Sequence, residues 1–351
     1  MSSFVDHFEM SSPDDVQKLG HILRRLSADK PTRVALIAKV EGTATTNDFS
    51  RSLALRAISD AVDEAGLDPQ NVHTILSTGC EGVISPGGFV FVDFGAPDRD
   101  EGGLRVGFSK SSPLSSAELL SQNHIDSARL AVEGALRDCG LTGADRVLVF
   151  MKSPLMTHQE SIDLPEERAR FAGISGAARG AAALGMAVAL GEIDPADAVI
   201  DNLLRRTDLF SRRGMVFSGT ETRSCEAIVI GQPAGSTSGL QLHCGVVDDL
   251  LDIEGMAAIM APDANASIDA ARARSGDVVA AFFKAGVRQD GLVRGRRTTV
   301  FSSDLDPDKH MRAAASGVVA ALTGDCRMFV SGGCEHQSPD GGGVFAVVTR
   351  N

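Results

Sequence analysis

Three lysines in this chain alternate with three serines: Lys39 precedes Ser77, Lys152 precedes Ser218 and Lys284 precedes Ser331, at separations of 38, 66 and 47 residues. A serine hydroxyl is a weak nucleophile until a neighbouring base takes its proton. Lysine is that base only when neutral, and at its unperturbed pKa of ~10.4 roughly one lysine in a few thousand is neutral at pH 7. Burial and nearby positive charge both favour the neutral form. Each lysine here ends an apolar run (Val34 to Ala38, Val147 to Met151, Val278 to Phe283), so burial is expected. An arginine accompanies each pair: Arg51, Arg179 and Arg312. Brought into one pocket, these cations would lower the lysine pKa values further. They would also hold carbonyl oxygens and stabilise the oxyanion of a tetrahedral intermediate. The chemistry this spells is acyl transfer to serine on an anionic or carbonyl-rich ligand.

The elements that must position these groups recur three times. Each serine follows a strand-like run: Thr74 to Leu76, Met215 to Phe217, Met328 to Val330. Between lysine and serine lies a helical stretch. Leu55, Ile58 and Val62 follow Arg51, the Ala-rich run Ala181 to Leu190 follows Arg179, and Met311, Ala315, Val318 and Leu322 surround Arg312. Each repeat therefore reads as a strand ending in Lys, a helix with Arg near its start, and a strand leading to Ser. The serine motifs are themselves alike. Ser77 opens Ser-Thr-Gly-Cys-Glu and Ser331 opens Ser-Gly-Gly-Cys-Glu, each followed by a short spacer, Ser-Pro and paired glycines; Ser218 opens a shorter copy, Ser-Gly-Thr-Glu. The backbone N–H groups after the serines, at Thr78, Gly219 and Gly332, are expected to add donors, with glycine letting the chain approach a ligand closely. Turn-rich connectors at 96–103 and 232–239 divide the chain into residues 1–100, 101–237 and 238–351. The expected fold is α/β, built from three similar repeats. Any one lysine after a strand reads as a surface residue and any one Ser-Gly as a turn; the three ordered sets together read as a site.

Composition narrows the partners. The 351 residues are 43% hydrophobic and 23% charged, an ordinary globular balance. A net charge of −12, with no Trp or Tyr, argues against nucleic acid. No apolar run reaches the ~20 residues of a membrane span, and Met1 to Met10 lacks a signal-peptide core, so a cytoplasmic location is expected. Six scattered cysteines show neither CxxC nor zinc-like spacing and read as buried thiols. Cys80 and Cys334 hold equivalent places three residues after their serines; packing and a reversible disulfide are both open readings. Asp248, Asp249 and Asp252 read as a solvated face, and His336 as structural.

Together these motifs resemble the cyclic amide hydrolases, the cyanuric acid hydrolase and barbiturase family, over nearly the whole chain. The markers are Lys39-Val40-Glu41-Gly42 with Asn47-Asp48-Phe49-Ser50-Arg51, then Lys152-Ser153-Pro154-Leu155 and Arg179-Gly180-Ala181. They continue with Lys284, Asp290-Gly291 and Arg294-Gly295, and close with Ser331-Gly332-Gly333 and Glu335-His336-Gln337. The resemblance implies three α/β repeats around a pseudo-threefold axis (a Toblerone-like fold), one central site, a homotetramer and no cofactor. It implies ring opening by serine attack on a ring carbonyl of barbituric acid, cyanuric acid or a related ureide or imide. The middle pair would supply nucleophile and base, Ser218 and Lys152. Lys39 with Ser77 and Lys284 with Ser331 would orient the substrate beside Arg51, Arg179 and Arg312. A member that only binds a small cyclic anion is the alternative. Two departures stand out. The family commonly holds a Mg²⁺-type ion near the C-terminal glycine loop, aided by a glutamate after the third lysine. Here 285–289 contains no acid and Val344 replaces the usual proline, so no firmly held ion is expected. Thr43-Ala44 also replaces the family's Asn-Gly, leaving substrate choice open.

Overall fold

A computed structural model describes residues 3–43, 48–95, 103–262 and 267–350. The connector at 96–102, and the motif residues Ala44 and Asn47, lie outside the described residues.

The first repeat runs β1 (Ser3–Glu9), α1 (Gln17–Ser27), β2 (Arg33–Val40), α2 (Ser50–Glu64), β3 (Val72–Thr78) and β4 (Gly87–Asp93). The second runs β5 (Arg105–Lys110), α3 (Gln122–Cys139), β6 (Arg146–Pro154), the short α4 (His158–Ser161) and α5 (Glu166–Ala169), α6 (Ser175–Ala189), β7 (Gly214–Gly219) and β8 (Glu226–Gln232). The third runs β9 (Leu240–Val247), α7 (Ile253–Met260), α8 (Ile268–Ala273), β10 (Val278–Ala285), a small hairpin of β11 (Leu292–Val293) and β12 (Arg296–Arg297), α9 (Pro307–Thr323), β13 (Phe329–Gly332) and β14 (Gly343–Arg350). Beyond the strand–helix–strand unit legible in the sequence, each repeat adds a first strand, a first helical segment and a return strand.

The three four-stranded sheets share one strand order: first strand, return strand, lysine strand, serine strand. The lysine strand is central. It pairs antiparallel with the return strand and parallel with the serine strand. Covered on both faces, it must be apolar throughout, which is why β2 and β6 read as near-continuous hydrophobic runs. Helices cover the outer face of each sheet. Asp306 caps α9, accepting from the N–H groups of Asp308 and Lys309, and Pro307 opens it, fixing where this arginine helix begins. In α6, Gly185 packs where an added Cβ would lie 2.0 Å from Ile125 O of α3; this close approach explains the helix's Ala/Gly composition.

The inner faces of all three sheets meet in one core. Phe282 of β10 touches the rings of Phe89, Phe91, Phe150 and Phe329, and Phe217 packs on Phe329 with centroids 5.3 Å apart. Large apolar burial and offset or edge-on ring contacts stabilise this centre. The lysine side chains emerge along its margin.

Candidate functional site

Lys39, Lys152 and Lys284 are 0%, 5% and 1% exposed, so the amines are inside the protein rather than in solvent. Each lies against the serine strand of another repeat. Lys39 Nζ lies 5.5 Å from the Phe329 ring centre, Lys284 Nζ 4.7 Å from that of Phe217, and Lys152 Nζ donates to Leu76 O at 3.4 Å. These contacts run from the first repeat to the third, the third to the second and the second to the first, which brings the three sets together. Burial lowers every lysine. Lys39, with Arg312 beside it, falls to about 7, and Lys284, with Arg179 beside it, also to about 7. Lys152 falls to about 8, burial being partly offset by Glu221.

The arginines form a second ring, running the opposite way. Arg312 places Nε 2.7 Å and NH2 2.8 Å from the two carboxylate oxygens of Glu81. Arg179 grips Glu335 through two 2.8 Å bonds and reaches Asp308 at 3.3 Å. Arg51 NH1 lies 3.5 Å from Glu221 Oε1. Each guanidinium thus pairs with the glutamate of the next repeat. Bidentate forks of this kind fix the plane of the guanidinium as well as its charge. Burial alone would raise Glu335, but Arg179 overrides it and holds the carboxyl at about 2. Gly79 (φ +98°) and Gly333 (φ +79°) make room for the forks: an added Cβ would lie 2.8 Å and 2.2 Å from the Arg312 and Arg179 NH2 groups.

The glutamates are the site residues that sequence reasoning missed. The signal was present, because Glu81, Glu221 and Glu335 each follow their serine by three or four residues within the repeated motif.

Threefold likeness breaks in the middle repeat. Lys39 and Lys284 stand opposite Ser77 and Ser331, whereas Lys152 stands opposite Phe217, with Ser153 opposite Ser218. Lys39 donates to Ser77 Oγ and to Thr78 O, both at 3.1 Å, and Lys284 donates to Gly332 O at 2.8 Å. The equivalent carbonyl, Gly219 O, accepts instead from Leu155 N–H, and Lys152 turns to Glu221 Oε1 at 2.5 Å. Among the described residues Ser218 and Ser331 hydroxyls have no hydrogen-bond partner. Ser218 is half-buried, while Ser77 and Ser331 are buried.

Of the expected backbone donors, Thr78, Gly219 and Gly332 sit at the strand ends beside the lysines, with the Thr78 and Gly332 carbonyls serving those amines. Cys80 and Cys334 are free thiols, and burial pushes each up to about 11, which suits the packing reading. Cys334 donates to Lys284 O at 2.8 Å. His336 joins Leu209 O and Leu204 N–H across the repeat boundary, a structural role. The glycine loop that the resemblance associates with an ion is covered by the aliphatic stem of an arginine. Arg288 packs against Gly341, where an added Cβ would meet its Cγ at 2.3 Å. The nearby acids are engaged: Asp290 with Arg288, and Asp340 with Gln289 N–H. With no acid in 285–289 and these two carboxylates committed, the loop offers a hard divalent cation little carboxylate to bind.

Fold and site together define a three-repeat α/β protein whose repeats pool lysines, serines, arginines and glutamates at one centre. The chain belongs to the ring-opening amidohydrolases: the family described as amidohydrolase ring-opening protein matches residues 4–350. It is 36% identical to a cyanuric acid amidohydrolase of Pseudonocardia dioxanivorans, over 97% of this chain and 96% of that one. It is 32% identical to a cyclic amide hydrolase of Azorhizobium caulinodans, over 99% of each. A solved cyanuric acid hydrolase, described as arising by structural concatenation, superposes with a TM-score of 0.86 at 29% identity, covering 100% of this chain and 99% of that one. Among the described residues no helix is long and apolar enough to cross a membrane.

Proposed function

We propose that this protein opens the ring of a small cyclic amide, a ureide or imide of the barbituric or cyanuric acid type, by acyl transfer to a serine. The observation that carries this reading is the burial of three lysine amines beside three serine-bearing strand ends. At a pKa of about 7 half of Lys39 and Lys284 is neutral at pH 7, and at about 8 roughly a tenth of Lys152, an enrichment in competent base of about a thousandfold and a few hundredfold respectively.

The middle pair is the reacting one in this reading. Neutral Lys152 takes the proton of Ser218 as Oγ bonds to a ring carbonyl carbon. Neighbouring ammonium and guanidinium groups stabilise the oxyanion. The tetrahedral species collapses with cleavage of the ring C–N bond, and the Lys152 ammonium protonates the leaving nitrogen. Water, deprotonated by Lys152, then attacks the ester, releasing a carboxylate and regenerating Ser218. Lys39, Ser77, Lys284 and Ser331, with Arg51, Arg179 and Arg312, hold the other ring carbonyls and nitrogens. The half-buried, uncommitted hydroxyl of Ser218 supports this assignment. A second reading makes Ser77 the nucleophile, and the 3.1 Å contact from Lys39 Nζ to Ser77 Oγ favours it. We take the working form to be a cytoplasmic homotetramer.

Turnover of a panel of cyclic amides, followed by ring absorbance, tests the reaction class. We expect at least one ureide or imide to be opened, and Lys152→Ala to reduce kcat on the order of 10²–10⁴-fold, as loss of a general base does. No turnover across the panel would leave a protein that binds cyclic anions without opening them. Full activity of Lys152→Ala with loss in Lys39→Ala would move the chemistry to the first pair.

A further inference from the structure

Glu221 differs from its counterparts in what it holds. Glu81 and Glu335 each give both carboxylate oxygens to one arginine. Glu221 gives one oxygen, Oε1, to Lys152 Nζ at 2.5 Å and to Arg51 at 3.5 Å. The cause is one residue of chain. Ser77 to Glu81 and Ser331 to Glu335 span four positions, while Ser218 to Glu221 spans three. The shortened turn folds the carboxylate back over Gly219, where an added Cβ would lie 1.9 Å from Glu221 Oε2 and would displace the carboxylate from this position. Because Gly219 O is already occupied by Leu155 N–H, Lys152 lacks the carbonyl that its counterparts use and takes the carboxylate instead.

We propose that Glu221 is the positioning residue of a Ser218–Lys152–Glu221 triad, and that it selects which of three like ring positions reacts. This rests on the reaction proposed above. A nucleophile, a base and a third group that orients the base is the general arrangement for activating a hydroxyl. When Lys152 takes the serine proton, the ammonium forms against a carboxylate. At Lys39 and Lys284 the ammonium would form against a backbone carbonyl, because Glu81 and Glu335 are held in their arginine forks and act on those amines only through space. A ring whose carbonyls repeat around it therefore meets two equivalent positions and one distinct one, and the distinct one is where proton transfer is supported. The other charged groups facing Lys152 do not duplicate this role. Arg51 opposes its protonation, and Glu226 across the sheet is engaged by Lys110 at 2.6 Å and by Thr222.

The test compares Glu221→Gln with Glu81→Gln and Glu335→Gln, using a cyclic amide that the wild type opens. Glu221→Gln is expected to lower kcat at least tenfold. It should also move the acid limb of the kcat/KM profile to lower pH, because Lys152 loses the carboxylate that favours its charged form. Glu81→Gln and Glu335→Gln are expected to raise KM and leave that limb in place; Glu221→Asp should restore part of kcat. Three glutamine variants with one common profile, or a Glu221→Gln limb that does not move, would overturn the proposal. Titration of ¹⁵N-labelled lysine amines in the same variants reads the pairing without turnover. A Lys152 resonance unmoved in Glu221→Gln overturns the triad, whereas absence of turnover in the wild type overturns the reaction itself.

Discussion

Ser77 Oγ lies 3.1 Å from the Nζ of Lys39, and among the described residues this is the only one of the three lysine–serine pairs joined by a direct hydrogen bond. The amine is fully buried and held near a pKa of about 7, against 10.5 for a free side chain. Such a lysine carries a stability consequence. Between pH 7 and 10.5 the unfolded chain binds a proton that the folded chain does not, so stability rises with pH across this window. The penalty is complete below about pH 7 and gone above 10.5.

Lys39→Met is accordingly expected to stabilise the fold at pH 7 by on the order of 1–3 kcal/mol, after the lost hydrogen bonds are counted. The gain should vanish near pH 10. Denaturant titrations at the two pH values check this; a loss of stability at pH 7 would show that the amine is held charged.

The Arg312–Glu81 fork joins the third repeat to the first. Glu81→Ala strands a guanidinium that is itself 6% exposed, and we expect a loss of about 3–5 kcal/mol. Replacing both partners, as Arg312→Met with Glu81→Leu, should recover much of that loss, because no uncompensated charge remains. Thermal unfolding of the two variants decides it, and equal destabilisation would contradict the pairing.

Glu335 gives the acid side of the stability profile. Its carboxyl is held at about 2 in the fold, below the ordinary 4.5, so its contribution is present above pH 4.5 and is lost as pH falls toward 2. Glu335→Gln should flatten the stability curve between those values, which acid titration of unfolding measures.

Protein purified without chelator should carry well under one equivalent of divalent metal, because 285–289 supplies no acid and Asp290 and Asp340 are already engaged. Elemental analysis tests this, and one tightly held Mg²⁺ or Ca²⁺ per chain would contradict it.

Thiol labelling should find Cys326 first, as the exposed cysteine, with Cys80 and Cys334 slow until the chain unfolds. Peptide mapping without reductant is expected to show both as free thiols; a Cys80–Cys334 bridge would revive the redox reading.

Much of this arrangement was legible in the chain. The lysine strands announced themselves as apolar runs because a strand central in its sheet has no polar face, and the arginine helices carried their own apolar stripes. The return strands and the first strands were less visible, being segments whose partners lie far away in sequence; β1, for instance, pairs with β4 some eighty residues on. The lysines, serines and arginines were recognisable by order and type. Their cross-repeat contacts were not, since nothing in the sequence tells that Lys39 reaches Phe329 or that Arg179 reaches Glu335. The glutamates escaped notice because an acid in a glycine turn looks solvated until a buried cation is placed beside it. The one-residue shortening after Ser218 was in view, but its effect on Lys152 depends on register and needed coordinates.

The most direct test is the covalent intermediate. Opening a ring by acyl transfer expels no fragment, so the enzyme should gain the entire mass of its substrate as an ester. Rapid acid quench of the enzyme with a substrate it opens, followed by intact mass and peptide mapping, is expected to place that mass on Ser218 and to lose it in Ser218→Ala. Turnover at the wild-type rate by Ser218→Ala, Ser77→Ala and Ser331→Ala alike, with no serine adduct, would contradict acyl transfer.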